Sequence, residues 1–197
     1  MKSVVGFLSR PHGFNVLIAL VNSNEYKLKM AYTHALNPKS QDPTRSTRPD
    51  YNLFVKICSE NNVPLLSIDS KEQGIENFPD CDFIVEVSWR YIIPKEIINK
   101  AHIAAFGIHR GRLPDYAGAE PIKQALLKGE KEIVLSAHYL ESVIDQGITI
   151  CTASHPVNYD QKCSLEQNIQ RLRDEITPLF SKLVFDTFKV LEAKLQK

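Results

Sequence analysis

The chain has 197 residues, 43% of them hydrophobic and 24% charged, and 24 Lys and Arg against 23 Asp and Glu leave a formal charge of +1. This length builds one well-buried core without disulfide or metal staples, and the near-neutral balance removes any sequence-wide electrostatic basis for binding nucleic acid or acidic lipid. Cys58, Cys81, Cys151 and Cys163 stand far apart with no CxxC pair, so no metal site or disulfide framework is expected, and they read as reduced thiols of a cytoplasmic protein.

From the N-terminus, Val4 to Leu8 is an apolar run far short of a signal-peptide core or a membrane span, and it reads as a first strand. A Pro11-His12-Gly13 turn leads into a first helix over Asn15 to Leu20. Tyr26 to Tyr32 fits a second strand, and residues 34–50, with three prolines and mostly polar side chains, fit a long surface loop. Leu53, Phe54, Ile57 and Cys58 recur at helical spacing within Tyr51 to Asn61, and a buried-strand run follows from Val63 to Ile68. Asp82 to Val87 and Ile103 to Ile108 continue the alternation, and Ile133 to Leu140 and Ile148 to Ala153 add two late strands. From Ser164 the pattern turns helical. Ser164 and Gln167 form a capping box, and Leu165, Ile169, Leu172, Ile176, Leu179, Leu183 and Leu191 line an apolar stripe that Pro178 is expected to kink or break. The stripe packs on the sheet or, alternatively, offers a homodimer contact.

Short strands alternating with amphipathic segments predict an α/β fold: an open, doubly wound, mostly parallel sheet with a C-terminal helix. A single domain over 1–197 is expected, with a core of about 1–155 and a C-terminal strand and helix segment of about 156–197. Ligands of such sheets sit beyond the carboxyl ends of strands, which points at Ser9 and Arg10, at Trp89 and Arg90, and at His109 and Arg110. The densest constellation runs from Phe106 to Lys123: His109 just past a strand, Arg110 and Arg112 beside it, then a Leu113-Pro114-Asp115-Tyr116 turn. Asp145, in the segment Glu141 to Gly147 between the two late strands, is placed to approach the imidazole, and such a pair is a general acid/base or electrostatic unit.

These residues carry a resemblance. Gly107-Ile108-His109, Leu113-Pro-Asp-Tyr116-Ala-Gly118, Ala125-Leu126, Gly129-Glu130, His138 and Asp145-Gln-Gly147 together resemble the folate-dependent formyltransferases, closest to the sugar N-formyltransferase branch. The resemblance implies a Rossmann-like formyltransferase fold and transfer of a formyl group from 10-formyltetrahydrofolate to a primary amine. His109 and Asp145 take the catalytic places, and Gly107 stands where the family has an Asn that donates to the oxyanion. Loss of one such donor costs roughly 100- to 1000-fold in turnover in other enzymes. A slow enzyme, a non-catalytic ligand-binding relative and an introduced substitution all fit Gly107, as does a glycine that allows close backbone approach.

The folate is expected against Trp89, Arg90, Tyr91 and Ile92 and against Leu140, Glu141 and Ile144. Trp89 fits a core residue equally well, and Arg90 meets either a glutamate-tail carboxylate or a surface acid. For the amine, a nucleotide-linked sugar is the expected acceptor, with Ser9, Arg10, Arg110, Arg112 and Tyr116 around its phosphates and rings. Glycinamide ribonucleotide and methionyl-tRNA are the alternatives. Against them stand the single glycine after the first strand and the helix alone at 163–197, where methionyl-tRNA enzymes carry a second domain. Folate and a small nucleotide sugar are therefore the expected partners, with no nucleic acid and no membrane.

Overall fold

The computed structural model describes residues 1–143 and 145–196. Two compact units divide the chain, Met1–Ala105 and Phe106–Lys197. In the first, β1 (Lys2–Leu8) pairs in parallel with β2 (Tyr26–Thr33) on one side and β4 (Cys81–Val87) on the other, and β3 (Leu65–Ser67) pairs in parallel with β2. Every residue from Val4 to Leu8 is buried, the continuous apolar run expected of a strand covered on both faces. Phe7 stacks on Tyr32 with centroids 4.8 Å apart, and burial pushes the Tyr32 phenol up to about 12.

Helix α1 (Arg10–Val21) begins one residue after β1, so Pro11 and Gly13 lie inside it rather than in the turn the sequence predicts. The missing proline N–H costs nothing in a first helical turn. Gly13 allows the tight entry, because a Cβ there would stand 2.9 Å from the Leu8 carbonyl carbon. The 34–50 segment is an ordered excursion. Leu36 bridges Thr47, Asp42 accepts hydrogen bonds from Thr44 and Ser46, and Arg48 is 4% exposed. Helix α2 (Tyr51–Glu60) follows it, burying Phe54 and Cys58. The short helix α3 (Lys95–Ile98) precedes β5 (Ala101–His109), the strand through which the chain passes into the second unit.

In the second unit, Phe106 to His109 pair antiparallel with β6 (Glu132–Tyr139), and β6 pairs antiparallel with β7 (Thr149–Pro156). The strand order is β3-β2-β1-β4-β5-β6-β7, so the mostly parallel expectation is met through β4 and reversed at the C-terminal end. Between β6 and β7 lie only residues 140–148, too few for a parallel crossover. Helix α4 (Pro121–Leu127) connects β5 to β6, and α5 (Leu165–Leu195) closes the chain. The Ser164–Gln167 capping box is formed as expected. Pro178, however, does not end α5, which runs unbroken for 31 residues. Pro178 is exposed, so the carbonyl deprived of its helical partner has access to water. The buried stripe is Ile169, Leu172, Ile176, Phe180, Leu183, Val184, Phe188 and Leu191, with Leu179 only half-buried.

Candidate active site

The second unit gathers its polar groups on one face of β5 and β6. Directly opposed residues of an antiparallel pair project to the same side, as do residues two apart on one strand. The registers Gly107 to His138 and His109 to Ser136 therefore put Gly107, His109, Ser136 and His138 on a common face. Ser136 is fully buried, donates to the Gly111 carbonyl at 2.8 Å and accepts from Leu113 N–H at 3.1 Å. It ties the segment after His109 to β6.

His109 Nδ1 lies 3.3 Å from Asp145 Oδ2, and its Nε2 lies 2.6 Å from the Tyr116 carbonyl oxygen. Both ring nitrogens face oxygen acceptors, an arrangement in which both donate only when the ring is an imidazolium. Asp145 adopts φ +56°, left-handed backbone that costs a residue with a side chain about 1 kcal/mol. Three contacts hold it there. Gly118 N–H donates to Oδ2 at 2.9 Å, Tyr139 N–H donates to the Ile148 carbonyl at 3.1 Å, and Gly147 lies so close to β6 that a Cβ would fall 1.7 Å from Tyr139 O. Burial pushes the Asp145 carboxyl up, but the His109 and Gly118 hydrogen bonds and the charges of His109 and His138 outweigh it and hold the group below the usual carboxylate range. His138 Nε2 lies 3.8 Å from Asp145 Oδ1. Sequence reasoning noted the histidine without seeing this contact, which only the strand register reveals.

The flanking residues are placed as follows. Tyr116 is 5% exposed, donates through its hydroxyl to Glu130 at 2.5 Å and lies beneath Lys128 Nζ at 4.8 Å. Arg112 pairs with Glu132 at 3.2 Å on the exposed surface. Arg110 and Arg112 line a small cleft with Tyr116, Pro121 and Ile133. Leu140 is half-buried and Glu141 exposed, and Ile144 lies outside the described residues.

The first unit holds the rest. Ser9 is buried between β1 and α1, with its N–H on the Val87 carbonyl at 3.0 Å and its Oγ accepting from Arg48. Arg48 is locked further by Asp50, at 2.9 and 2.8 Å. Arg10, at φ +61°, reaches Gln41 Oε1 at 3.1 Å and lines a cleft of about 230 Å³ with Asn37, Pro38, Arg48 and Pro49. His34 stacks on Trp89 at 4.0 Å between centroids, so one indole face is covered. His34 Nδ1 donates to the Ile68 carbonyl at 2.5 Å and Nε2 accepts Arg90 N–H at 3.2 Å, which fixes the neutral tautomer. Burial is the main cause that pulls this imidazole down to about 4. Arg90 Nη2 donates to the Leu36 carbonyl at 2.5 Å, while its Nε and Nη1 are buried with no hydrogen-bond partner. Tyr91 donates to the Asp69 carbonyl at 2.7 Å, and Ile92 is 56% exposed. Arg90 and Tyr91 line a second cleft with Lys39, Arg45, Asp69 and Lys71. Among the described residues, no three His, Cys, Asp or Glu side chains form a metal-binding group, and no helix is long and apolar enough to cross a membrane.

Comparison with known proteins bears on this geometry. The sequence profile of the family described as "Formyl transferase" matches residues 1–182. A methionyl-tRNA formyltransferase of Leptospira interrogans is 25% identical over 197 residues, covering 96% of this chain and 59% of that protein. One from Chlorobium phaeovibrioides is 32% identical over 139 residues, covering 68% and 41%. The chain thus spans about three-fifths of the length, or less, of these curated relatives. Among solved structures, phosphoribosylglycinamide formyltransferase of Brucella melitensis superposes with a TM-score of 0.68 at 14% identity, over 94% of this chain and 93% of that one. A sugar 3N-formyl transferase determined with dTDP and 5-N-formyl-THF superposes with a TM-score of 0.60 at 18% identity, over 96% and 63%.

Proposed function

The chain belongs to the formyl transferase family, and from that premise we propose that it transfers a formyl group from 10-formyltetrahydrofolate to the primary amine of a nucleotide-linked amino sugar. The observation that carries the reading is the His109–Asp145 pair at the end of β5. The amine lone pair adds to the formyl carbon and the carbonyl electrons move onto oxygen. The bond from carbon to the folate nitrogen then breaks, as the proton shed by the amine passes to that leaving nitrogen. His109 serves the oxyanion: exchange of the Tyr116 carbonyl for the developing negative charge keeps Nε2–H satisfied and adds charge stabilisation available only in the transition state. Asp145 holds the ring from Nδ1 and moves protons with it. Gly107 offers no side-chain donor, so turnover is expected to be roughly 100- to 1000-fold below that of the same site with an Asn.

The two buried, unpartnered nitrogens of Arg90 suit an anionic group such as the glutamate carboxylate of folate, with Tyr91 and Ile92 beside it. For the acceptor, Arg10 in its cleft supplies a cation for a phosphate, and the likeness to the sugar 3N-formyl transferase structure supports a sugar. Methionyl-tRNA is the second reading, favoured by the sequence relatives.

The test is to incubate the protein and Gly107→Asn with 10-formyltetrahydrofolate and, separately, nucleotide 3-amino and 4-amino sugars, glycinamide ribonucleotide and methionyl-tRNA. An N-formyl sugar is the expected product, formed faster by Gly107→Asn. Formate released without any formylated amine would replace the reading by deformylation, and a product from tRNA alone would replace the acceptor.

A further inference from the structure

His138 is a near-buried imidazole that the proposed chemistry does not use, yet it faces the same carboxylate as His109. Its Nδ1 lies 3.1 Å from the Tyr139 carbonyl oxygen and must donate to it, so in the neutral ring Nε2 is the lone-pair nitrogen. That lone pair points toward Asp145 Oδ1, 3.8 Å away. The same Tyr139 carbonyl is the atom against which Gly147 closes, so the ring of His138 and the turn bearing Asp145 rest on one backbone group. Across the strand pair stands Gly107, with no side chain to share the face.

We propose that His138 is a positioning residue that competes with His109 for Asp145: neutral, it leaves the carboxylate to His109, and protonated, it takes Oδ1 as a donor and draws the carboxylate away. The proposal rests on the formyl-transfer reading for its kinetic consequence but not for its geometry. The charges that act on His138 are Asp145, from the turn before β7, which favours the proton, and His109, from β5, which opposes it. From β7 it faces Thr149, which carries no charge. Lys194 of α5 sits over the neighbouring Tyr139 ring, on the opposite face of the strand. Burial is the largest influence and keeps the imidazole below the ordinary histidine range, so the neutral form dominates near neutrality and the competing form appears as pH falls.

The test uses His138→Asn, whose amide keeps a donor for the Tyr139 carbonyl and removes the titrating nitrogen. Formyl transfer is measured from pH 5 to pH 8.5 in the native protein and the variant. The ratio of the rate at pH 5.5 to that at pH 8 is expected to rise at least about threefold in the variant. An equal loss at every pH, the mark of a structural role, overturns the proposal, as does an unchanged acidic limb. A parallel NMR titration reads the His138 ring in the native protein and in Asp145→Asn, where its midpoint is expected to fall once the carboxylate is gone. An unmoved midpoint overturns the competition directly. If neither the native protein nor Gly107→Asn turns over 10-formyltetrahydrofolate, the formyl-transfer reading falls, and the NMR titration alone decides the role of His138.

Discussion

Both oxygens of Asp145 are engaged, since one serves both His109 and Gly118 N–H and the other faces His138. Asp145→Asn keeps the shape and one carbonyl oxygen but removes the charge. A loss of about 10²- to 10⁴-fold in kcat is expected, with a melting temperature close to that of the native protein; a loss under threefold would remove Asp145 from the chemistry. His34 gives a residue-scale prediction for stability. Its folded-state value of about 4 lies below its ordinary 6.5, so between those values the unfolded chain binds a proton that the folded one refuses. The stability it contributes is present above pH 6.5 and is lost as pH falls toward 4, by about 3 kcal/mol. Urea denaturation at pH 7.5 and pH 5 reads the loss, and His34→Asn, which cannot titrate, should flatten the difference. The sequence made His109 and Asp145 legible because each follows or precedes a recognisable strand within a familiar spacing. His34 and Arg48 were not legible: each sits in or beside a polar, proline-bearing loop, and their burial depends on partners 34 and 39 positions away in the chain.

Elements were legible where periodicity was long and uniform. β1, β2, β4 and the start of α5 fall close to their expected positions, whereas α1 begins earlier because proline and glycine punctuate a turn and also serve a helix start packed tightly on the preceding strand. β6 and β7 read as strands but not as antiparallel neighbours, since their direction follows from the short connection over residues 140–148 rather than from alternation. Pro178 shows the same limit: a breaker is tolerated where the helix faces water on that side and hydrophobic packing secures the other. Pro178→Ala restores a backbone donor inside α5 and should raise stability by about 1–3 kcal/mol, the helical penalty of proline less the entropy it removes from the unfolded chain. Thermal melting checks it, and an unchanged or lower melting temperature refutes it. Gly147→Ala has the opposite sign. Its Cβ meets Tyr139 O at 1.7 Å, so the turn bearing Asp145 must move, and a loss of about 2–4 kcal/mol is expected together with loss of formyl transfer.

At the scale of the whole chain, charge gives a test between the two proposed acceptors. With 24 basic and 23 acidic residues the chain is close to neutral, and some cations of the first unit line two clefts, Arg10 and Arg48 in one and Lys39, Arg45, Lys71 and Arg90 in the other. Several of these are already committed: Arg48 to Asp50, Arg45 to the Asp69 carbonyl, and Arg90 in part to the Leu36 carbonyl. Clefts of this size suit one or two phosphates held at short range. A diphosphate neutralised by one or two cations depends weakly on salt, whereas a contact with 6–10 phosphates loses about 10³- to 10⁵-fold in affinity between 50 and 200 mM salt. The KM for a nucleotide amino sugar is therefore expected to rise by less than about tenfold across that range, and Arg10→Ala should raise it further at every salt concentration. A KM for methionyl-tRNA that starts low and climbs by orders of magnitude with salt would mean that the phosphate backbone is read by a surface the local clefts do not represent, and the acceptor would then be the tRNA.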